Sequence, residues 1–197
     1  MRPPRFASLF ETFASVVPFQ QVSLEAGLAI FGRLVQRFGE HLDVGGERFQ
    51  LFPTARSFAE ARIDALSGCG LSRRKAESLH TIAREIASGA LTEANLAAMS
   101  TSDALRLLTE LPSIGPWSAG LVLLRGLGRL DEFPPGDVGV GRGLGTLLHV
   151  SSVADLNAVV ERFGDLRGCL YFCSLGGSLL AKGLIHPAPE PWPRRPR

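Results

Sequence analysis

Apolar residues recur at helical spacing along almost the whole chain, and no apolar–polar alternation runs longer than four residues. A sheet-based architecture is thereby excluded, because each segment has one apolar stripe to bury and only helix-on-helix packing serves that pattern. Phe10, Phe13, Ala14 and Val17 make one stripe, and Leu24, Leu28, Phe31, Leu34, Val35 and Phe38 the next. Residues 41–53, with Gly45-Gly46 and Pro53, read as a long loop. Ser57 is the candidate cap of a helix holding Phe58, Ala61 and Leu66, ended by Gly68-Cys69-Gly70. Ser72 opens a helix to about Ser88 with Leu79, Ile82, Ala83 and Ile86 inward, and Thr92 and Ser102 are caps for two short ones. Pro116 suits the first position of a helix through Trp117, Leu121 and Leu124, and further helices are expected near 137–148, 152–163 and 168–182. The expectation is an all-α domain of nine or ten short helices.

Length and composition agree with one globular unit. The chain has 197 residues, 45% hydrophobic and 20% charged, enough to bury roughly 70% of its unfolded surface without disulfides or a structural metal. Cys69, Cys169 and Cys173 are odd in number and match neither a zinc ribbon nor an iron–sulfur run, which suits a reducing cytosol. No run approaches the ~20 apolar residues of a membrane span, and Glu11 interrupts the apolar stretch after the basic start, so a cytoplasmic location with no membrane partner is expected. The formal net charge is only +2, so a nucleic-acid contact has to come from a local patch. All of the basic residues but Lys75 and Lys182 are arginine, which fits either forked phosphate binding or a GC-rich genome. The residues from Pro187 to Arg197 hold five prolines and three arginines and read as a loose tail.

The stretch Leu111-Pro112-Ser113-Ile114-Gly115-Pro116-Trp117-Ser118-Ala119 lies between two expected helices. A tight turn there presents successive main-chain N–H groups at a helix start, where the dipole and unpaired donors favour an anion such as a phosphate. Gly115 lets the anion approach closely. Contacts made through main chain bind DNA without reading its sequence. A plain corner between two helices accounts for the turn equally well. Twenty residues beyond Trp117 stands Asp137, in Phe133-Pro134-Pro135-Gly136-Asp137-Val138-Gly139-Val140, a carboxylate at a helix start after a Pro-rich loop.

With these two segments the chain resembles the helix-hairpin-helix base-excision DNA glycosylases that carry a Gly/Pro-rich loop and Asp (HhH-GPD), and within them the AlkA-like DNA-3-methyladenine glycosylases. Three further segments fit in order and spacing from about residue 8 to 185: Phe19-Gln20-Gln21-Val22-Ser23, Gly70-Leu71-Ser72-Arg73-Arg74-Lys75-Ala76 and Leu127-Gly128-Arg129. The resemblance implies a two-lobed helical core over residues 1–187, with the hairpin motif at about 105–128, a cleft between lobes, and residues 188–197 as a Pro/Arg-rich tail. It implies a monomer without cofactor or iron–sulfur cluster, acting on double-stranded DNA that contains alkylated bases.

Cleaving an N-glycosidic bond passes through a sugar with oxocarbenium character, which a nearby carboxylate stabilises. Asp137 is the candidate for that role, and an N-cap is its plainer use. By resemblance, Gln21 fills the gap left by the extruded base, with Gln20 beside it on the DNA, and Trp117 lines the base pocket. Gln21 is otherwise a polar loop end and Trp117 a core anchor. Ser113, Ile114, Gly115, Trp117 and Ser118 would face the phosphate. Arg73, Arg74 and Lys75 are either a DNA-backbone contact or a solvated surface. Trp117 stands where glycosylases that also nick the strand place a lysine, which implies base release alone, with no lyase step. The resemblance also allows a monovalent cation on the hairpin carbonyls, but His41, His80, His149 and His186 lack the pairing of a catalytic metal.

Departures from the family pattern are informative. Ser113 replaces the usual first hairpin Gly, and Leu121, Val138 and Leu175 stand where AlkA-like enzymes often carry aromatics, which implies a wider pocket. Gly136, Gly139, Gly141, Gly143 and Gly145 crowd one helix, each interior glycine costing roughly 1 kcal/mol against alanine. Asp137 favours a glycosylase for alkylated purines. The missing aromatics favour another lesion or a non-catalytic binder of damaged DNA, and a helical protein-interaction domain is the remaining reading.

Overall fold

The computed structural model of the protein describes residues 3–150 and 152–186; the Pro/Arg-rich tail expected at 188–197 lies outside them. Eleven α-helices occupy the described residues. Seven begin on a Ser or Thr whose hydroxyl accepts the N–H three residues on: Ser8, Ser23, Thr54, Ser72, Thr92, Ser100 and Ser152. Such a cap stabilises a helix by about 1 kcal/mol, so the many short helices are delimited largely by side-chain chemistry.

The order is α1 (Leu9–Ala14), a 3-10 turn (Val17–Phe19), α2 (Leu24–Phe38), β1 (His41–Val44), β2 (Glu47–Gln50), α3 (Ala55–Ala59), α4 (Ile63–Ser67), α5 (Arg73–Ala87), α6 (Glu93–Ala98) and α7 (Thr101–Thr109). Next come α8 (Pro116–Leu121), running on into a π-helical stretch (Val122–Leu127), then α9 (Val138–Leu148), α10 (Val153–Glu161) and α11 (Arg167–Ala181).

Three expectations need correction. Residues 41–53 are not all loop, because β1 and β2 pair antiparallel, His41 opposite Gln50 and Val44 opposite Glu47. Gly45 and Gly46 both take positive φ, 62° and 87°, as a two-residue hairpin turn with strand-matching twist requires. All eight strand residues are exposed, so the hairpin has no buried face to leave an alternating signature. The helix expected from Ser57 is two helices, α3 capped by Thr54, whose hydroxyl accepts the Ser57 N–H, and α4 after a break at 60–62. Ser100, extended at ψ 157°, caps α7 in place of Ser102.

The main core joins α1 to α8 and holds Phe13, Phe58, Leu66, Leu79, Ile82, Leu96, Leu108 and Leu123, all fully buried. A second cluster, Val16, Leu121, Leu124, Val140 and Tyr171, ties the end of α1 to α8, α9 and α11, and a third joins Leu144, Val160 and Leu170. Phe133 packs on both of these. The loop before α9 is fixed from two sides. The Arg129 guanidinium donates to the carbonyls of Leu96 and Met99, each at 2.7 Å, and the Gly168 N–H donates to the Leu130 carbonyl at 2.7 Å.

Two glycines of the α9 run have a packing reason. A Cβ on Gly143 would stand 2.6 Å from the Ser174 hydroxyl, which donates to the Val140 carbonyl, so α9 and α11 meet at a distance only glycine allows. A Cβ on Gly145 would fall 2.7 Å from the Val150 carbonyl.

Candidate active site

Asp137 caps α9. One carboxylate oxygen accepts the Val140 N–H at 2.9 Å, and the other accepts the indole N–H of Trp117 at 2.9 Å. The helix N-terminus favours negative charge. With each oxygen held by a donor, the carboxylate has one orientation. Trp117 reaches it from the first turn of α8, while its ring packs on the Val16–Tyr171 cluster. Core anchoring and site lining are therefore one arrangement of this residue.

Asp137 and Trp117 open into a cleft of about 640 Å³, walled by Phe19, Gln20, Gln21 and Val22 on one side. Ser72, Arg74, Lys75, Ser113, Gly115, Pro116 and Ser118 complete the wall, with Gly136 and Val138 beside the carboxylate. Beyond Asp137 a second hollow runs along α9 past Gly141, Arg142, Gly145 and His149. The sequence-derived residues thus converge, although several are used differently from the expectation.

Gln21 is exposed at the cleft with φ 54°, and Ser113 turns the hairpin with φ 62°. These left-handed conformations are uncommon for residues other than glycine, and cost on the order of 1 kcal/mol or more. Ser113 therefore keeps the backbone shape for which glycine is usual. Its hydroxyl accepts from Arg74 Nε at 3.1 Å and its carbonyl from Gln20 Nε2 at 3.0 Å.

Gln20 and Lys75 line the cleft, but their side-chain donors are spent on protein partners. Gln20 Nε2 also donates to the Ser118 hydroxyl at 2.9 Å, and Lys75 Nζ donates to the carbonyls of Gln20 at 2.5 Å and Pro18 at 3.3 Å. Burial pushes the Lys75 ammonium below the ordinary lysine range. Arg73 pairs with Glu77 at 2.9 Å and Asp64 at 3.7 Å and does not line the cleft, so within the basic cluster Arg74 is the cation beside the hairpin.

The Ile114 side chain is buried in the main core and its N–H donates to the Leu111 carbonyl. Ser118 is also buried, and its hydroxyl in the cleft wall accepts from Gln20. Leu121 and Leu175 belong to the cluster beneath the site and do not line the cleft, whereas Val138 is 62% exposed at its rim.

Backbone carbonyls suit a hard cation. At the hairpin, however, the Pro112 carbonyl accepts the Ser78 hydroxyl, the Ser113 carbonyl accepts Gln20 and the Leu111 carbonyl accepts Ile114 N–H. Each of these three carbonyls therefore has one of its two lone pairs engaged by a protein donor.

Two residues near the site escaped the sequence reading. Tyr171, one turn into α11, lies in the cluster under the carboxylate; burial first, and then the Asp137 charge, push its phenol up to about 12. Its helical stripe with Leu170 and Ser174 was the available signal. Glu132, five residues before Asp137, has its carboxyl close to Gly120 of α8, where a Cβ would lie 2.8 Å from it. Burial, then the charge of Asp131, push Glu132 up to about 7, with Arg167 opposing.

An acid raised in the folded state favours folding fully below its usual 4.5, and that contribution is lost as pH rises to about 7. Glu132→Gln is therefore expected to melt above the parent at pH 8, with the gap closing toward pH 5. A gap that is the same at both values would contradict the assignment.

A model of the HhH-GPD superfamily of base excision DNA repair proteins matches residues 14–163. The chain is 29% identical over 153 residues to the DNA-3-methyladenine glycosylase of Bacillus subtilis (strain 168), covering 78% of this chain and 50% of the relative. Among solved structures, a 3-methyladenine DNA-glycosylase from Archaeoglobus fulgidus matches with a TM-score of 0.78 and 32% identity, over 91% of this chain and 62% of that one. An 8-oxoguanine glycosylase/lyase from Clostridium acetobutylicum, solved with double-stranded DNA, shares the fold at 19% identity and a TM-score of 0.73, over 89% of this chain and 61% of that one. The chain spans about half the length of the curated relatives it matches.

Proposed function

The chain belongs to the HhH-GPD superfamily of base excision DNA repair proteins, and on that premise we propose that it is a monofunctional DNA glycosylase releasing alkylated purines, 3-methyladenine first and 7-methylguanine next. The observation that carries this reading is the Asp137 carboxylate, oriented by Val140 and Trp117 in the cleft that also holds the hairpin and Gln21.

The chemistry suits a substrate whose base is already a cation. Methylation at a purine ring nitrogen weakens the glycosidic bond, so the enzyme has mainly to stabilise charge on the departing sugar. A fixed carboxylate does that without reorganising during the reaction. Hairpin main chain and Arg74 hold phosphates, Gln21 enters the stack vacated by the lesion, and Trp117 offers a π-face to the cationic ring. The similarity to 3-methyladenine glycosylases supports the choice of substrate.

Absence of a lyase step is part of the proposal. A Schiff base needs an amine free to attack the sugar. Lys75, the lysine lining the cleft, has its ammonium on two carbonyls. Borohydride added to the protein with an abasic duplex is expected to trap no covalent adduct, and a duplex holding one 7-methylguanine is expected to break only after alkali treatment. A trapped adduct that Lys75→Met abolishes would replace the monofunctional reading with a bifunctional one. Intact DNA after alkali, across 3-methyladenine and 7-methylguanine substrates alike, would move the protein to another lesion.

A further inference from the structure

Lys75 spends its ammonium on two main-chain carbonyls at the cleft. We propose that it is a positioning residue for base extrusion: with Gln20 it clamps the loop that carries Gln21 to the hairpin, setting the height at which Gln21 enters the duplex. The inference rests on the glycosylase reading.

Three separate pieces of chain meet at the clamp. Lys75, on the first turn of α5, donates to the carbonyls of Pro18 and Gln20, which bracket the last turn before Gln21. Gln20 spends its amide on the hairpin, through the Ser113 carbonyl and the Ser118 hydroxyl. Arg74 and Ser78, on the same helix as Lys75, donate to Ser113 and Pro112 of the hairpin. One helix thus holds both the inserting loop and the phosphate-facing turn.

The backbone at both ends of the clamp is strained in the same sense. Gln21 and Ser113 are two of the three non-glycine residues with positive φ among the described residues. A left-handed glutamine persists where its surroundings over-determine it. Here the carbonyl immediately before Gln21 is fixed at 2.5 Å by Lys75. Without the ammonium the loop relaxes toward ordinary φ, and the Gln21 side chain moves off the line into the stack. Gln21 has no side-chain tie of its own among the described hydrogen bonds, so its placement comes entirely from the backbone.

Extruding a paired base costs a few kcal/mol, and much less for a base with no partner. The test exploits that difference. Single-turnover excision of 7-methylguanine is measured in a duplex opposite cytosine and in the same duplex opposite an abasic site, for the parent, Lys75→Met, Lys75→Arg and Gln21→Ala. Lys75→Met is expected to lose about tenfold opposite cytosine and to stay within about twofold opposite the abasic site, matching Gln21→Ala. Lys75→Arg should recover most of the loss, because a guanidinium can also donate to both carbonyls.

Equal rates for Lys75→Met and the parent opposite cytosine would overturn the proposal, as would an equal loss on both duplexes, the mark of a merely structural lysine. If Lys75→Met does not fold, Gln20→Leu cuts the clamp at the hairpin and carries the same expectation. Should the parent excise from neither duplex, the substrate reading fails and the clamp is read instead by 2-aminopurine fluorescence at the target position. Weaker brightening at saturating Lys75→Met than with the parent supports the clamp, and equal brightening overturns it.

Discussion

Asn in place of Asp137 will slow base release about 10³-fold, while binding to an abasic duplex stays within a few-fold of the parent. That loss corresponds to about 4 kcal/mol of transition-state stabilisation, the scale expected when a fixed charge opposite a developing cation becomes neutral. The hydrogen bonds predict a second effect. Both Asp137 oxygens accept from donors, whereas a carboxamide offers one oxygen and one NH2, so Asn must set a donor against either Val140 N–H or Trp117 Nε1–H. The helix cap is the better use of the single acceptor. Trp117 then loses its partner, at a stability cost of about 1–3 kcal/mol. Removing the indole donor with Trp117→Phe in the Asp137→Asn background is expected to restore part of that stability and none of the activity. Recovery of activity in the double variant would mean that Asp137→Asn fails because a displaced Trp117 obstructs the cleft and not because the carboxylate charge is lost.

Gly168→Val will unfold the Asp137 loop, with a loss of several kcal/mol and of all base release. A Cβ at Gly168 would stand 2.7 Å from the Glu132 carbonyl, 2.9 Å from the Leu130 carbonyl and 2.6 Å from Leu124. Leucine can rotate, but two main-chain oxygens cannot give way without moving the loop. The Gly168 N–H also holds the Leu130 carbonyl, so displacement breaks the tie that seats the segment leading to Asp137. Gly176, with nothing near its Cβ position, is the control: Gly176→Ala should be neutral or slightly stabilising through helix propensity. Melting curves check both.

Much of this was written locally in the sequence. Ser72, Thr92 and Pro116 open their helices where spacing and capping chemistry put them, because a cap is decided within four residues. Asp137 as a helix cap follows from the same rule. Its second bond, to Trp117 twenty residues away, depends on how α8 lies against α9, which no local pattern encodes. The exposed β-hairpin was missed for the opposite reason, since it buries nothing and only Gly45-Gly46 announced it.

Lys75 is the sharpest case. In sequence it sits in an Arg-Arg-Lys run that reads as a charged surface, yet the three side chains part company: Arg73 goes to acids on the outside, Arg74 to the hairpin and Lys75 inward to two carbonyls. Successive residues of a helix point about 100° apart, so a run of like charges is divided among different neighbours. Gly143 and Gly145 of α9 likewise gain a reason only from α11 and the chain after α9, through Ser174 and the Val150 carbonyl.

The central claim is that Asp137, held in this cleft, drives release of an alkylated base. Its most direct test is chromatography of free bases released from methylated duplex DNA, run under single-turnover conditions with the parent and Asp137→Asn side by side. The account predicts 3-methyladenine from the parent and about a thousandth of that rate from the variant. Equal release by both, or none from a parent that still binds an abasic duplex tightly, would contradict it.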